Sequence, residues 1–263
     1  MSEITFKART RIEDDAGKYQ ATVERLKWNS AKTAVVVCDM WNKHWCKGAT
    51  RRVAEMAPQA DKFLKIARGK GMLIIHAPSE TLGFYKDTPQ RRLAQQAPKL
   101  KPSIPLKLSC KLDPGREGEL PIDDSDGGCD CEPQCETTIA WNRQIETIEI
   151  AKGDAITDSD EAFYLMKQRG IENVIILGVH TNMCVLGRPF SIRQMCYQGR
   201  NVALVRDLTD AMYNSRKAPF VSHFEGTDLV IEHIEKHWCP TITSADLIGG
   251  EPFTFANDTR KKD

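Results

Sequence analysis

Four short apolar runs, almost uninterrupted and rich in Val and Ile, constrain the fold of this chain more than any other feature. They are residues 33–39 (TAVVVCD), 72–77 (MLIIHA), 173–179 (NVIILGV) and 201–207 (NVALVRD). A strand wet on one face alternates apolar and polar residues, whereas these do not. They therefore read as strands of a parallel sheet covered on both sides. The intervening segments have helical spacing. In residues 52–70, Val53, Met56, Ala60, Phe63, Leu64 and Ala67 fall on one face, and Gly69 and Gly71 close the segment. Residues 158–168 repeat the pattern with Ala162, Phe163, Leu165 and Met166 before Gly170, and residues 183–197 and 229–238 add two more helices. Strand alternating with helix means right-handed βαβ crossovers and a doubly wound α/β sheet. Residues 145–151 (IETIEIA) alternate strictly and are expected to form the third strand; residues 241–244 supply a short last one, six in all.

Two segments break this rhythm. Residues 3–29 alternate on either side of DDAGK (14–18), which suits an N-terminal β-hairpin arm. Residues 98–135 are proline-bearing and aperiodic, basic first (Lys99, Lys101, Lys107, Lys111) and then acidic (Asp123, Asp124, Asp126, Asp130, Glu132). So long a loop in a compact domain reads as a lid. The expected layout is an arm over 1–30, one α/β domain over 31–250 with an insertion at about 83–144, and a tail over 251–263. The charge is nearly balanced, 37 Lys+Arg against 36 Asp+Glu, which disfavours a protein held by nucleic-acid phosphates. No apolar run approaches twenty residues, residues 1–11 lack an apolar signal core, and the nine cysteines are scattered. The expectation is a cytoplasmic protein with reduced thiols and a small-molecule substrate, touching neither membrane nor nucleic acid.

Open α/β sheets bind ligands beyond the carboxyl ends of their strands. The first strand ends in Asp39, the second in His76 and the third (145–151) in Lys152, while the fourth (173–179) leads through His180 to Cys184 at the start of a helix. An acid, an amine and a thiol are thus expected together. Asp39 accepts the thiol proton, Lys152 holds Asp39 ionised or stabilises the thiolate, and the helix start lowers the pKa of Cys184. Backbone N–H groups at that helix start can receive an oxyanion. The competing reading, a buried structural Cys with a capping Asp, requires no chemistry.

The motifs VVVCDMWN (35–42), KGDAITDS (152–159) and ILGVHTNMCV (176–185) resemble the isochorismatase-like cysteine hydrolases, which include nicotinamidases and N-carbamoyl amidases. The similarity covers about 31–80 and 145–250. It implies a three-layer α/β/α fold with a six-stranded parallel sheet of order 3-2-1-4-5-6. It also implies a triad of Asp39, Lys152 and Cys184. A cis peptide between Val179 and His180 would aim the N–H groups of His180 and Cys184 into an oxyanion hole. The implied reaction attacks an amide, carbamoyl or ureido carbonyl, passes through a thioester and ends in hydrolysis. Dimers or tetramers are implied too, with the arm as a contact. The alternative is a binding protein on the same fold without catalysis.

The chain also departs from that pattern. The Asp-x-His metal element of nicotinamidases is missing, so no cofactor is expected, and Trp41, His44, Trp45 and His76 are candidates for lining a metal-free pocket. A metal on His44 and His76 is the alternative. Cys129, Cys131 and Cys135 (CDCEPQC), with Cys110, lack the C-x₂-C spacing of common zinc sites and read as incidental lid thiols. His233 and His237 lie four apart beside Glu232, Glu235 and Lys236, and read as a surface pair.

Overall fold

The computed structural model describes residues 3–260, so the first two residues of the expected arm and the last three of the tail lie outside it. The chain opens with a hairpin, β1 (Glu3–Glu13) and β2 (Tyr19–Asn29), whose turn is tied by Asp14. Then come β3 (Thr33–Cys38), α1 (Lys47–Gly69) and β4 (Leu73–Ala77). The insertion carries only α2 (Leu82–Tyr85), α3 (Pro89–Gln95) and α4 (Pro114–Glu117). The second half runs β5 (Ala155–Ile156), α5 (Glu161–Gln168), β6 (Asn173–Val179), α6 (Cys184–Gly187), α7 (Ile192–Tyr197) and β7 (Asn201–Asp210). It closes with α8 (His223–His237), β8 (Thr241–Ile242) and α9 (Ala245–Ile248).

The sheet has eight strands in the order β2-β1-β8-β7-β6-β3-β4-β5. From β8 to β5 all neighbours are parallel, and these six strands have the expected 3-2-1-4-5-6 order. The two extra strands are the hairpin. It folds back on its own chain and pairs β1 antiparallel to β8 through Arg9 and Thr241. Ile4, Phe6 and Trp28 enter the core, and Arg9 and Arg11 pair with Glu235 on α8. Apolar alternation on one face of β1 decides this: that face has more to gain from burial against the sheet than from standing free.

The central strands are buried on both faces. Ala34, Val36 and Cys38 of β3 face a layer with residues of α5, α7 and α8, whereas Val35 and Val37 face α1 and the hairpin. Each buried Val contributes roughly 1.5–3 kcal/mol. Helix α1 starts five residues earlier than its periodicity indicates, because the Cys46 side chain caps it by accepting from Ala49 N. Among the described residues no helix is long and apolar enough to cross a membrane.

The third strand differs most from expectation. Residues 145–151 form no strand; Ile145 N bonds to Met40 O and Ile148 is buried beside α1. The true strand, β5, is two residues long and follows at 155–156. A two-residue strand carries too little pattern to be read, whereas IETIEIA alternates because its isoleucines pack as single anchors in a loop.

Candidate active site

Asp39 leaves β3 with a positive φ of 49°, its side chain wholly buried. Its Oδ1 accepts from Ser79 N at 2.7 Å, which anchors it to the segment after β4. The neighbouring central strand, β6, ends in a turn built from small and polar residues. A Cβ on Gly178 would stand 2.0 Å from Cys38 O, so only glycine lets β6 lie this close to β3. The Val179–His180 peptide is cis. Thr181 N donates to Asp210 O at 3.0 Å, and the Thr181 and Thr209 hydroxyls meet at 2.7 Å. Asn182 accepts from Met212 N, and donates to Asp124 of the insertion at 2.7 Å. Cys184 follows from this fixed turn, beside Asp39.

The cation at the site is Arg188, which sequence reasoning missed. Residues 183–197 do not form one helix: α6 ends at Gly187, and Arg188 is extended, with φ −70° and ψ 159°. Pro189 is the cause, since its ring disfavours helical backbone in the residue before it. The extended residue turns its guanidinium towards the site, with Nε 3.8 Å from Asp39 Oδ2. Both atoms are buried, and neither has a hydrogen-bond partner among the described residues. A proline five residues after the first residue of α6 was the available signal.

Burial pushes the Asp39 carboxyl up to about 6, against the opposing pull of Arg188, Cys184 and the Ser79 N–H. Burial, then the Asp39 charge, raise the Cys184 thiol above its ordinary range. This reverses the expected activation at a helix start. Helix α6 has a single turn, too short to supply a useful dipole. The resting pair is a neutral thiol beside a carboxylate of near-neutral pKa. Around the turn, Met183 N and Val185 N both donate to His180 O. The N–H groups of His180 and Cys184 have no backbone acceptor among the described residues.

Cys184 and Arg188 open onto a cavity of about 350 Å³, walled also by Asn182 and Met183 and, from the insertion, by Cys110 and Leu112. Trp41, His44 and Trp45 do not line it. Trp41 stacks on Trp141 of the insertion at 4.5 Å and 14°, and its Nε1 donates to Ser79 O. His44 stacks on Trp141 at 5.5 Å and meets His180 edge-on at 4.8 Å. Its Nδ1 accepts from Cys46 N, and burial lowers its pKa to about 4. These aromatics form a wall behind His180. Trp45 lies further out, along a second cavity beside Cys131 and Cys135.

Two expected site residues stand elsewhere. Lys152 is exposed and precedes β5, whereas Asp39 and Cys184 follow the carboxyl ends of their strands. The misplaced strand carried the misplaced lysine. His76 is buried with both ring nitrogens engaged, Nδ1 with Gln144 at 2.9 Å and Nε2 with Asp154 at 3.1 Å. It braces the sheet edge and contacts neither Cys184 nor His44 through these atoms. His233 is not a surface residue either: it is buried, and its Nε2 meets Glu117 at 2.9 Å. Glu117 also binds Arg193 through two bonds and Trp238 Nε1, and pins the insertion to α7 and α8.

With this geometry in hand, solved structures give the comparison. The chain is similar to a cysteine hydrolase from Pseudomonas syringae pv. phaseolicola 1448A, at 18% identity and TM-score 0.51, over 84% of this chain and 92% of that one. It is similar to an isochorismatase from Pseudomonas putida KT2440, at 14% identity and TM-score 0.50, over 84% and 92%. The chain has the isochorismatase-like fold. No family model matches the sequence, and no curated protein matches it.

Proposed function

We propose that the chain is a cysteine-dependent hydrolase that cleaves a small amide, carbamoyl or ureido compound. The observation that carries this reading is the convergence of Cys184 and Arg188, which line one cavity, with the buried Asp39 carboxylate, where carboxylate Oδ2 and guanidinium Nε lack hydrogen-bond partners among the described residues. Buried polar atoms are seldom left unmatched unless a ligand or water completes them. Asp39 Oδ2 takes the Cys184 proton as Sγ attacks the carbonyl carbon, and a base of pKa about 6 suits this near neutrality. The N–H groups of His180 and Cys184 receive the tetrahedral oxyanion. Its collapse breaks the C–N bond, Asp39 returns the proton to the leaving amine, and a thioester remains. Water then attacks that thioester with Asp39 again as base, releasing the acid and the free thiol. Arg188 stabilises the sulfur as it becomes anionic, the role expected of Lys152.

The test is ammonia release over a panel of small amides and ureido acids, with Cys184→Ala alongside. Turnover in the parent protein that vanishes in Cys184→Ala supports the mechanism; turnover that survives sinks it. Without a substrate, iodoacetamide should modify Cys184 in the parent protein and far more slowly in Asp39→Asn. Equal rates in the two would remove Asp39 from the role of base.

A further inference from the structure

A second group of thiols lies away from Cys184, and its fourth member comes from outside the motif that drew attention in the sequence. Cys46, Cys129 and Cys131 bring their sulfur atoms within 4.8 Å of one another. Cys46 and Cys129 are buried. Cys135 stands at the edge of the same cluster and packs against it. The separation between Cys46 Sγ and Cys131 Sγ is 3.9 Å. Zinc held by four thiolates at about 2.3 Å places its sulfurs about 3.8 Å apart, the edge of the tetrahedron. The observed spacing is near that edge and is nearly twice an S–S bond of about 2.05 Å.

The surrounding amides are arranged for anionic sulfur. Three successive N–H groups at the start of α1 each point at a different thiol. Lys47 N donates to Cys135 Sγ at 3.5 Å, Gly48 N to Cys131 Sγ at 3.2 Å, and Ala49 N to Cys46 Sγ at 3.5 Å. Such donors tune and orient metal-bound sulfur. A Cβ on Gly48 would stand 2.5 Å from Asp130 Oδ1, so a side chain there would displace that carboxylate. Asp130 is engaged by Arg52 at 2.7 Å, and its Oδ1 also accepts from Cys46 Sγ at 3.7 Å. Lys47 and Arg51 line the adjoining cavity beside Cys131 and Cys135, where they offset negative charge. Cys110 is not part of the group; its sulfur donates to Gln194 near the Cys184 cavity.

We infer that Cys46, Cys129, Cys131 and Cys135 form a tetrathiolate site for a soft divalent cation, zinc in the first place. An all-sulfur donor set selects zinc or iron over magnesium or calcium. On binding, each thiol gives its proton to solvent and the four sulfurs share one cation, with no change of oxidation state. The site clamps the acidic half of the insertion to the first turn of α1, directly after His44 and Trp45. The C-x-C-x₃-C spacing, set aside for lacking C-x₂-C, becomes sufficient once Cys46 joins it. This inference is independent of the role of Cys184.

The test measures bound metal in the full chain purified without chelator. One zinc per chain is expected, lost in Cys129→Ser and Cys131→Ser and kept in Cys196→Ser and Cys239→Ser. Because cluster variants can fail to fold, the parent protein is also stripped and titrated with cobalt(II). Thiolate-to-cobalt charge-transfer absorption saturating at one equivalent is the expected result. Parent protein without zinc that also fails to develop the cobalt spectrum overturns the inference. So does zinc unchanged by Cys131→Ser, or a disulfide within the cluster in freshly purified protein.

Discussion

Cys184 and the Cys46 cluster are both built from buried or half-buried thiols near a carboxylate, yet their surroundings differ in what decides chemistry. Cys184 stands beside one carboxylate and one guanidinium, at a cavity, on the turn after a central strand. Cys46 stands among other sulfurs, faced by backbone N–H donors at the start of a long helix, with Asp130 occupied by Arg52. A thiol beside a buried carboxylate can lose its proton to it as a bond to carbon forms. Several thiols faced by N–H donors, beside a carboxylate already held by an arginine, need a cation to become anionic together. Position in the fold, rather than the cysteine itself, separates the proposed nucleophile from the proposed ligands.

The largest expected effect breaks the comparison at its first term. Cys184→Ala should lower kcat by roughly 10⁴ or more in a substrate assay, whereas Cys129→Ser should leave the chemical step measurable. Next comes the other anchor of the insertion. Glu117→Gln leaves Arg193 and His233 with a neutral partner in a buried site, and should cost about 3–5 kcal/mol in urea unfolding. Limited proteolysis sharpens the contrast between the anchors: chelator should open residues 126–136 to cleavage while residues around Glu117 stay protected.

Arg188→Met should reduce kcat/KM by about 10²–10³, the scale of losing one well-placed electrostatic stabiliser. Lys152→Ala, measured in parallel, should change it less than about twofold, as for an exposed side chain that does not line the cavity. A large loss in Lys152→Ala with none in Arg188→Met would restore the lysine to the triad. The smallest effect is with pH. Asp39 acts as a base only when ionised, and its pKa is raised to about 6, so kcat/KM should be flat above neutrality and fall as pH drops through 6. An acid limb near pH 4 instead would mean that Asp39 is not the titrating base. The same raised pKa makes burial of the ionised carboxylate unfavourable, so Asp39→Asn should stabilise the fold at pH 8 and do so less at pH 5.

The parallel sheet, its order and the positions of Asp39 and Cys184 were legible because each depends on local signals. Continuous Val and Ile runs mark strands buried on both faces, and in parallel strands the residues at the carboxyl ends share one side of the sheet. What depended on long-range packing was not legible. Strand β5 is too short to have a period, and the alternation of 145–151 belongs to a loop; Lys152 was misplaced with it. Arg188 entered the site because Pro189 broke a helix, a local signal whose consequence is visible only once the guanidinium has somewhere to point. His76 and His233 were found in hydrogen-bonded interiors whose partners, Asp154 and Glu117, lie 78 and 116 residues away in the chain.

By itself the sequence determined the layers, the parallel order and the meeting of an acid with a thiol, since these follow from residue type and strand direction. Only the tertiary structure decided which cation joins them and which cysteine completes CDCEPQC. Both depend on contacts between segments far apart in the chain, Cys46 meeting Cys131 across 85 residues, and no local spacing records such a contact.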